Sequence, residues 1–189
     1  MKQHIQTYKV KLLKALEDEE LNRNIENLYN EILKAWKNRK NIYLCGNGGS
    51  AGNAVHIAND LLYGAGITNK CGINAEALSA NQSIITCLAN DEGYENIFSE
   101  QLKVKAKEND ILIVLSGSGN SQNVVNALMV GNSIKMKTFA LLGFDGGKCL
   151  ALANNSVHFK VHDMQVAEDL QLIVMHMIMQ KLSTILINN

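Results

Sequence analysis

The run Ser116-Gly117-Ser118-Gly119-Asn120-Ser121 places three hydroxyls and two glycines between an apolar segment, 111–115, and a helical pattern, 124–131. A strand that ends in such a loop and restarts as a helix gathers hydroxyls and free N–H groups around one point, which suits an anion such as phosphate. No Lys follows in the GxxxxGK[ST] spacing, so the loop is not a nucleotide P-loop. A second loop, Gly46-Asn47-Gly48-Gly49-Ser50, also follows an apolar segment, Asn41-Ile42-Tyr43-Leu44-Cys45. Four ionisable residues have spacings that bear on chemistry. His56 and Asp60 lie at i and i+4 and share one helix face. They read either as a surface pair or as a metal or proton-transfer pair. Glu168 and His176 lie on one long apolar helix, about 12 Å apart along its axis from the rise per residue. A shared ligand there demands extended side chains.

These residues need a frame. Residues 1–38 read as two amphipathic helices. Helices are then expected over 51–63, 83–89, 95–106, 124–134, 148–153 and 166–187. Strands are expected over 41–45, 73–77, 111–115, 138–142 and 157–161, with 73–77 near the middle of the sheet. Short continuous apolar strands alternating with helices indicate a parallel sheet covered on both faces. In such a sheet, ligands bind at the carboxyl ends of strands near a switch in strand order, where both glycine-serine loops would lie. Residues 90–94 read as a turn with an N-cap, and Asp145-Gly146-Gly147 as turn chemistry. His158 and His162 have no evident partner in the sequence.

The chain has 189 residues with 18 basic and 18 acidic side chains, so its formal net charge is zero. No basic excess points to nucleic acid. No apolar run approaches the roughly 18 residues of a membrane span. The N-terminus lacks an apolar signal core, which makes the cytoplasm the default compartment. Cys45, Cys71, Cys87 and Cys149 form no CxxC pair. Three of the four sit in or beside apolar segments and read as reduced core residues.

Taken together, these motifs resemble the phosphoheptose isomerases, a branch of the sugar isomerase (SIS) superfamily. The resemblance rests on residues 45–51, His56, residues 90–95, 116–121 and 136–138, and Gly143-Phe144-Asp145-Gly146-Gly147-Lys148. It implies a flavodoxin-like α/β fold with a five-stranded parallel sheet, one SIS domain over 1–189, and a homotetramer with active sites between subunits. It implies conversion of sedoheptulose 7-phosphate to a glycero-manno-heptose 7-phosphate for bacterial heptose synthesis. By position, Ser116, Gly117, Ser118 and Ser121 would hold the phosphate. Asn47, Gly48, Gly49, Ser50, Asp60, Asn90, Asp91 and Glu168 would contact the rest of the substrate. Asp60, Glu168 and His176 would be catalytic, and His56, Asp60, Glu168 and His176 would ligate zinc. Three positions depart from the family pattern: Asp60 replaces a usual Glu, Glu168 a usual Gln, and Ser79-Ala80-Asn81 a usual Thr-Thr-Asp. The alternatives are an isomerase of another ketose phosphate, or a non-catalytic protein of the phosphosugar-sensing or DnaA initiator-associating type.

Overall fold

The computed structural model describes residues 1–68 and 70–186. Its centre is a parallel sheet of β1 (Ile42–Cys45), β2 (Ala75–Ala77), β3 (Ile111–Ser116), β4 (Lys137–Leu142) and β5 (Asn155–His158), in the order β2-β1-β3-β4-β5. Among the described residues there are eight α-helices: α1 (Lys2–Leu16), α2 (Glu19–Lys37), α3 (Gly49–Asn59), α4 (Gln82–Asp91), α5 (Ser99–Lys105), α6 (Gln122–Ser133), α7 (Gly147–Leu152) and α8 (Met164–Ser183). This is the flavodoxin-like order, and its reversal lies between β1 and β3.

Strand alternation divides the core. On β3, Ile111, Ile113 and Leu115 pack with α2, α3 and α8 side chains such as Ile32, Ile57 and Leu170. Leu112 and Val114 face the other way, toward Leu102, Val124 and Leu128. Every β3 residue is buried, as a strand covered on both faces requires. A buried Leu or Ile on either face contributes about 1.5–3 kcal/mol relative to exposure.

Five expectations need correction in this frame. Residues 75–77 form an edge strand that pairs with β1, not a central one. The segment is three residues long and its middle residue, Glu76, is exposed, so it suits an edge. The helix expected over 95–106 splits into a 3-10 turn at Tyr94–Asn96 and α5. The fifth strand ends at His158, because Lys160 takes a positive φ of 47° that no strand continues. Only Cys45 and Cys149 are buried, while Cys71 is half-buried and Cys87 exposed. Burial pushes the Cys45 thiol well above its ordinary value and Cys149 up to about 11. The long last helix ends at Ser183, and residue 187 of the expected span lies outside the described residues.

Asn81 has a structural role of its own. It caps α4, its side chain accepting from Ile84 N–H at 3.2 Å. Asn caps as well as Asp does, so this departure preserves the helix start.

Helix α1 buries no residue completely; Tyr8, Leu12, Ala15 and Leu16 are half-buried against the core, and polar contacts strap the helix to α8 and its N-cap. Tyr8 Oη donates to Asp169 Oδ2 at 2.6 Å, and Lys11 Nζ donates to Asp163 Oδ2 at 2.6 Å. Burial and the bond to Asp169 raise the Tyr8 phenol to about 12. A raised phenol stabilises the fold fully below the unfolded value near 10, and that contribution is lost as pH rises through about 12. We expect the thermal midpoint to fall across that window in the native chain, and to fall less steeply in Tyr8→Phe. A pH series of melts checks this.

Candidate functional site

β1 and β3 are neighbours in register, Cys45 opposite Val114, so the loops that follow them emerge side by side. They enclose a pocket of about 270 Å³. One wall is Asn47, Gly48, Gly49 and Ser50; the other is Ser116, Gly117, Ser118 and Ser121. Met164 and Glu168, one turn apart on α8, close the third side. Met164 was not anticipated. Its i, i+4 spacing to Glu168 is the signal that places both on one face. Its thioether packs over Gly117, where any Cβ would overlap it.

Hydrogen bonds within the serine loop fix two of its hydroxyls. Gly119 N–H donates to Ser116 Oγ at 3.0 Å, and Asn120 N–H donates to Ser118 Oγ at 3.3 Å. Both hydroxyls therefore accept within the loop and keep their own protons to donate outward. Ser121 sits at the N-cap of α6, yet its side chain makes no capping bond, so its hydroxyl is free at a positive helix end.

The opposite loop is held by an amide cluster that sequence reading missed. Asn47 and Asn123 exchange side-chain hydrogen bonds at 2.9 Å, and Tyr94 Oη donates to Asn47 Oδ1 at 2.9 Å. No spacing rule links positions 47, 94 and 123; only the β1–β3 pairing brings them together.

α3 and α8 run side by side in the same direction. Asn53 Nδ2 sets their register by donating to Glu168 O and Gln171 Oε1, both at 3.0 Å. Two turns along both helices from the pocket, His56 Nε2 lies 2.8 Å from His176 Nε2. Asp60 Oδ2 lies 3.5 Å from each ring. Asp60 opens a π-helical turn, Asp60–Gly64, where a continuous α-helix was expected. Such turns recur at functional sites.

One donor atom from each of His56, Asp60 and His176 lies within 4.8 Å of the others. Two imidazoles and a carboxylate match zinc's preferred donors, so the residues fit that ion. The ring–ring contact needs one Nε2 protonated and the other bare, whereas a metal needs both bare.

The predicted residues thus separate into three groups. Asn47, Gly48, Gly49, Ser50 and the serine loop share the pocket with Glu168. His56, Asp60 and His176 form the donor group, and Asp60 does not line the pocket. Glu168 is outside the donor group: its carboxylate packs against Gly49 instead, where any Cβ would overlap it. Asn90 and Asp91 are exposed and away from the pocket. Asn90 Nδ2 donates to Asp91 Oδ1 at 2.6 Å, and Cys87 Sγ donates to Asp91 Oδ2 at 3.4 Å. Residues 90–94, expected to be a turn, begin inside α4, which holds Asn90 and Asp91; the chain turns only after it, at Gly93 with φ 87°. His158 and His162 do have partners: His158 Nε2 lies 2.8 Å from Phe144 O, and His162 Nε2 lies 3.3 Å from Asp145.

A family model described as SIS domain matches residues 6–143. The phosphoheptose isomerase of Aliarcobacter butzleri is 39% identical over 144 residues, 76% of each chain. That of Helicobacter pylori is 33% identical over 178 residues, 94% of this chain and 91% of the relative. This chain belongs to the phosphoheptose isomerase family of SIS proteins. The solved phosphoheptose isomerase of Neisseria gonorrhoeae superposes with a TM-score of 0.87 at 25% identity, covering 97% of this chain and 99% of that one. The family's fold therefore extends beyond the matched residues, through α8 and its Glu168 and His176. Among the described residues no helix is long and apolar enough to cross a membrane.

Proposed function

We propose that this chain is an aldose–ketose isomerase that converts sedoheptulose 7-phosphate to D-glycero-D-manno-heptose 7-phosphate through an enediol. The observation that carries the reading is that the same two helices, α3 and α8, bear the serine pocket at their starts and the His56–Asp60–His176 group two turns along. A phosphate held by Ser116, Ser118 and Ser121 directs the sugar chain past Asn47 and Ser50 toward that group.

The chemistry needs a base, an acid and a stabilised oxyanion. A carboxylate, Asp60 or Glu168, takes a proton from C1 of the ketose. The C1–H electron pair becomes the C1–C2 double bond, and O2 takes a proton from His176. The resulting enediol returns the O1 proton to His176 and receives a proton at C2 from the carboxylic acid, leaving the aldose. His56, Asp60 and His176 would hold one zinc ion. When bound, it supplies Lewis-acid polarisation of the substrate oxygens.

The wider reading has residues 1–189 as one SIS domain in a cytoplasmic homotetramer serving lipopolysaccharide or capsule synthesis. Exposed Ile5, Val10 and Leu13 on α1 support packing of the N-terminal helices between subunits. Asn90 and Asp91, remote from their own pocket, then contact the sugar in a neighbouring copy. NMR of the anomeric carbons, with zinc-loaded and metal-free protein, tests the activity. Zinc-dependent appearance of the aldose is expected. Substrate that binds and is not converted contradicts the reading.

A further inference from the structure

No lysine, arginine or histidine is among the described residues that line the serine pocket. An anionic ligand there depends on neutral N–H and O–H groups that point the right way. One lining residue, Asn47, carries an amide whose two ends are alike in shape and opposite in polarity. Turned one way it offers hydrogens; turned the other way it offers a carbonyl oxygen.

The orientation is decided outside the pocket. Val124 N–H donates to Asn123 Oδ1 at 2.9 Å, and a backbone N–H can only donate, so the atom facing it is oxygen. The other end of the Asn123 amide is then the NH2 group, and it donates to Asn47 Oδ1 at 2.9 Å. Asn47 Nδ2 donates back to Asn123 Oδ1, also at 2.9 Å. Tyr94 Oη donates to Asn47 Oδ1 at 2.9 Å. An amide oxygen has two lone pairs, and both of those on Asn47 are now filled. One of its two Nδ2 hydrogens is spent on Asn123. A single N–H is what the Asn47 side chain has left for a ligand. Asn123 is 2% exposed, so reversing its amide would set donor against donor inside the protein.

We propose that Asn123 and Tyr94 are positioning residues that make Asn47 a donor only, so that Asn47 meets an accepting oxygen of the substrate. This deepens the reading above and rests on the serine pocket as the phosphate end of its site. Neither residue lines the pocket. Asn123 sets the direction of the Asn47 amide. Tyr94 occupies the carbonyl, for which a substrate hydroxyl would otherwise compete.

The test reads the Asn47 side-chain amide by proton–nitrogen NMR during titration with glycerol 3-phosphate, which has no carbonyl to isomerise. Asn47→Ser identifies the signal. In the native chain one Nδ2 proton is expected to shift, and the other, bonded to Asn123, to stay. Tyr94→Phe should weaken binding about threefold and Asn123→Ala about tenfold, within the range of one neutral hydrogen bond, and in Asn123→Ala both Asn47 protons should shift. Tyr94 is 56% exposed, so its hydroxyl can be removed without opening a cavity, and Tyr94→Phe decides the matter if Asn123→Ala fails to fold. With sedoheptulose 7-phosphate the variants should raise KM by the same factors and leave kcat within about twofold, as loss of a contact made equally in ground and transition states does. A lowered kcat with KM unchanged, the mark of lost folded protein, overturns the proposal. So do native protons that shift alike, or variants that bind as the native chain does. A native chain that converts the heptulose while neither Asn47 proton moves overturns this inference alone. A chain that shows the selective shift without converting the heptulose leaves it standing and overturns the assigned activity.

Discussion

His176→Ala is expected to reduce turnover of sedoheptulose 7-phosphate by about a thousandfold, within the range that a positioned acid–base group supplies, while the protein melts as before. Both halves follow from the geometry. The His176 side chain is 41% exposed and its nitrogen contacts are His56 and Asp60, so its loss leaves no cavity and orphans no buried group. Changes of that kind usually stay within about 0.5 kcal/mol. The chemical loss is larger because the proposed site needs His176 in either state, as proton donor to O2 when its Nε2 is protonated or as one of three metal donors when that nitrogen is bare. Zinc content and turnover should therefore fall together, and titrated sugar phosphate should still bind through Ser116, Ser118 and Ser121, two turns away. A variant that keeps native turnover would remove His176 from the chemistry. A native chain with no turnover and unaltered binding in the variant would favour a sensing role.

Much of the frame was legible because periodicity and burial coincide. β1, β3 and β4 are built on continuous apolar runs, 42–45, 111–115 and 139–142, that are buried on both faces, and their positions follow from the sequence to within a residue or two. The serine loop was legible for the same reason: a buried strand fixes where its loop begins. The errors fall where local pattern and tertiary context separate. Residues 73–77 are apolar enough for a strand, yet nothing local says which neighbour they pair with; only the β1 register puts them at the edge. The π-turn at Asp60 leaves the apolar period almost unchanged, so the helix looked continuous. Position along α8 gave both Glu168 and His176 as candidates for one ligand set. Their separation is decided by side-chain direction: Glu168 turns toward Gly49, while His176 meets His56 across the helix pair. The Asn47–Asn123–Tyr94 cluster left no signal, because a loop, the first turn of α6 and a 3-10 turn become neighbours only in the folded chain.

Gly119→Ala is expected to cost on the order of 3 kcal/mol, a drop in melting temperature of roughly 6–12 °C for a chain of this size. Two effects combine. Gly119 has φ 66°, a conformation that costs an L-residue about 1–2 kcal/mol. A Cβ there would also overlap the Gly146 carbonyl oxygen, and backbone cannot swing aside as a side chain can. The overlap matters because this is where two loops are joined. Cys149 N–H donates to Gly119 O at 3.0 Å, and Lys148 N–H donates to Asn120 Oδ1 at 3.1 Å. Forcing the loops apart breaks both bonds and shifts Ser118 and Ser121, so phosphate affinity should fall with stability. Gly48→Ala separates the two causes. Gly48 also has a positive φ, 54°, but a Cβ there meets nothing within 4 Å. It should cost only the conformational strain, about 1–3 kcal/mol, and less than Gly119→Ala. Melts of the two variants side by side check the ordering. Equal losses would mean that φ alone governs, and that the contact between the serine loop and the Gly146 turn yields without cost. A larger loss in Gly119→Ala, accompanied by weaker phosphate binding, would establish that the turn before α7 holds the serine loop in its anion-binding shape.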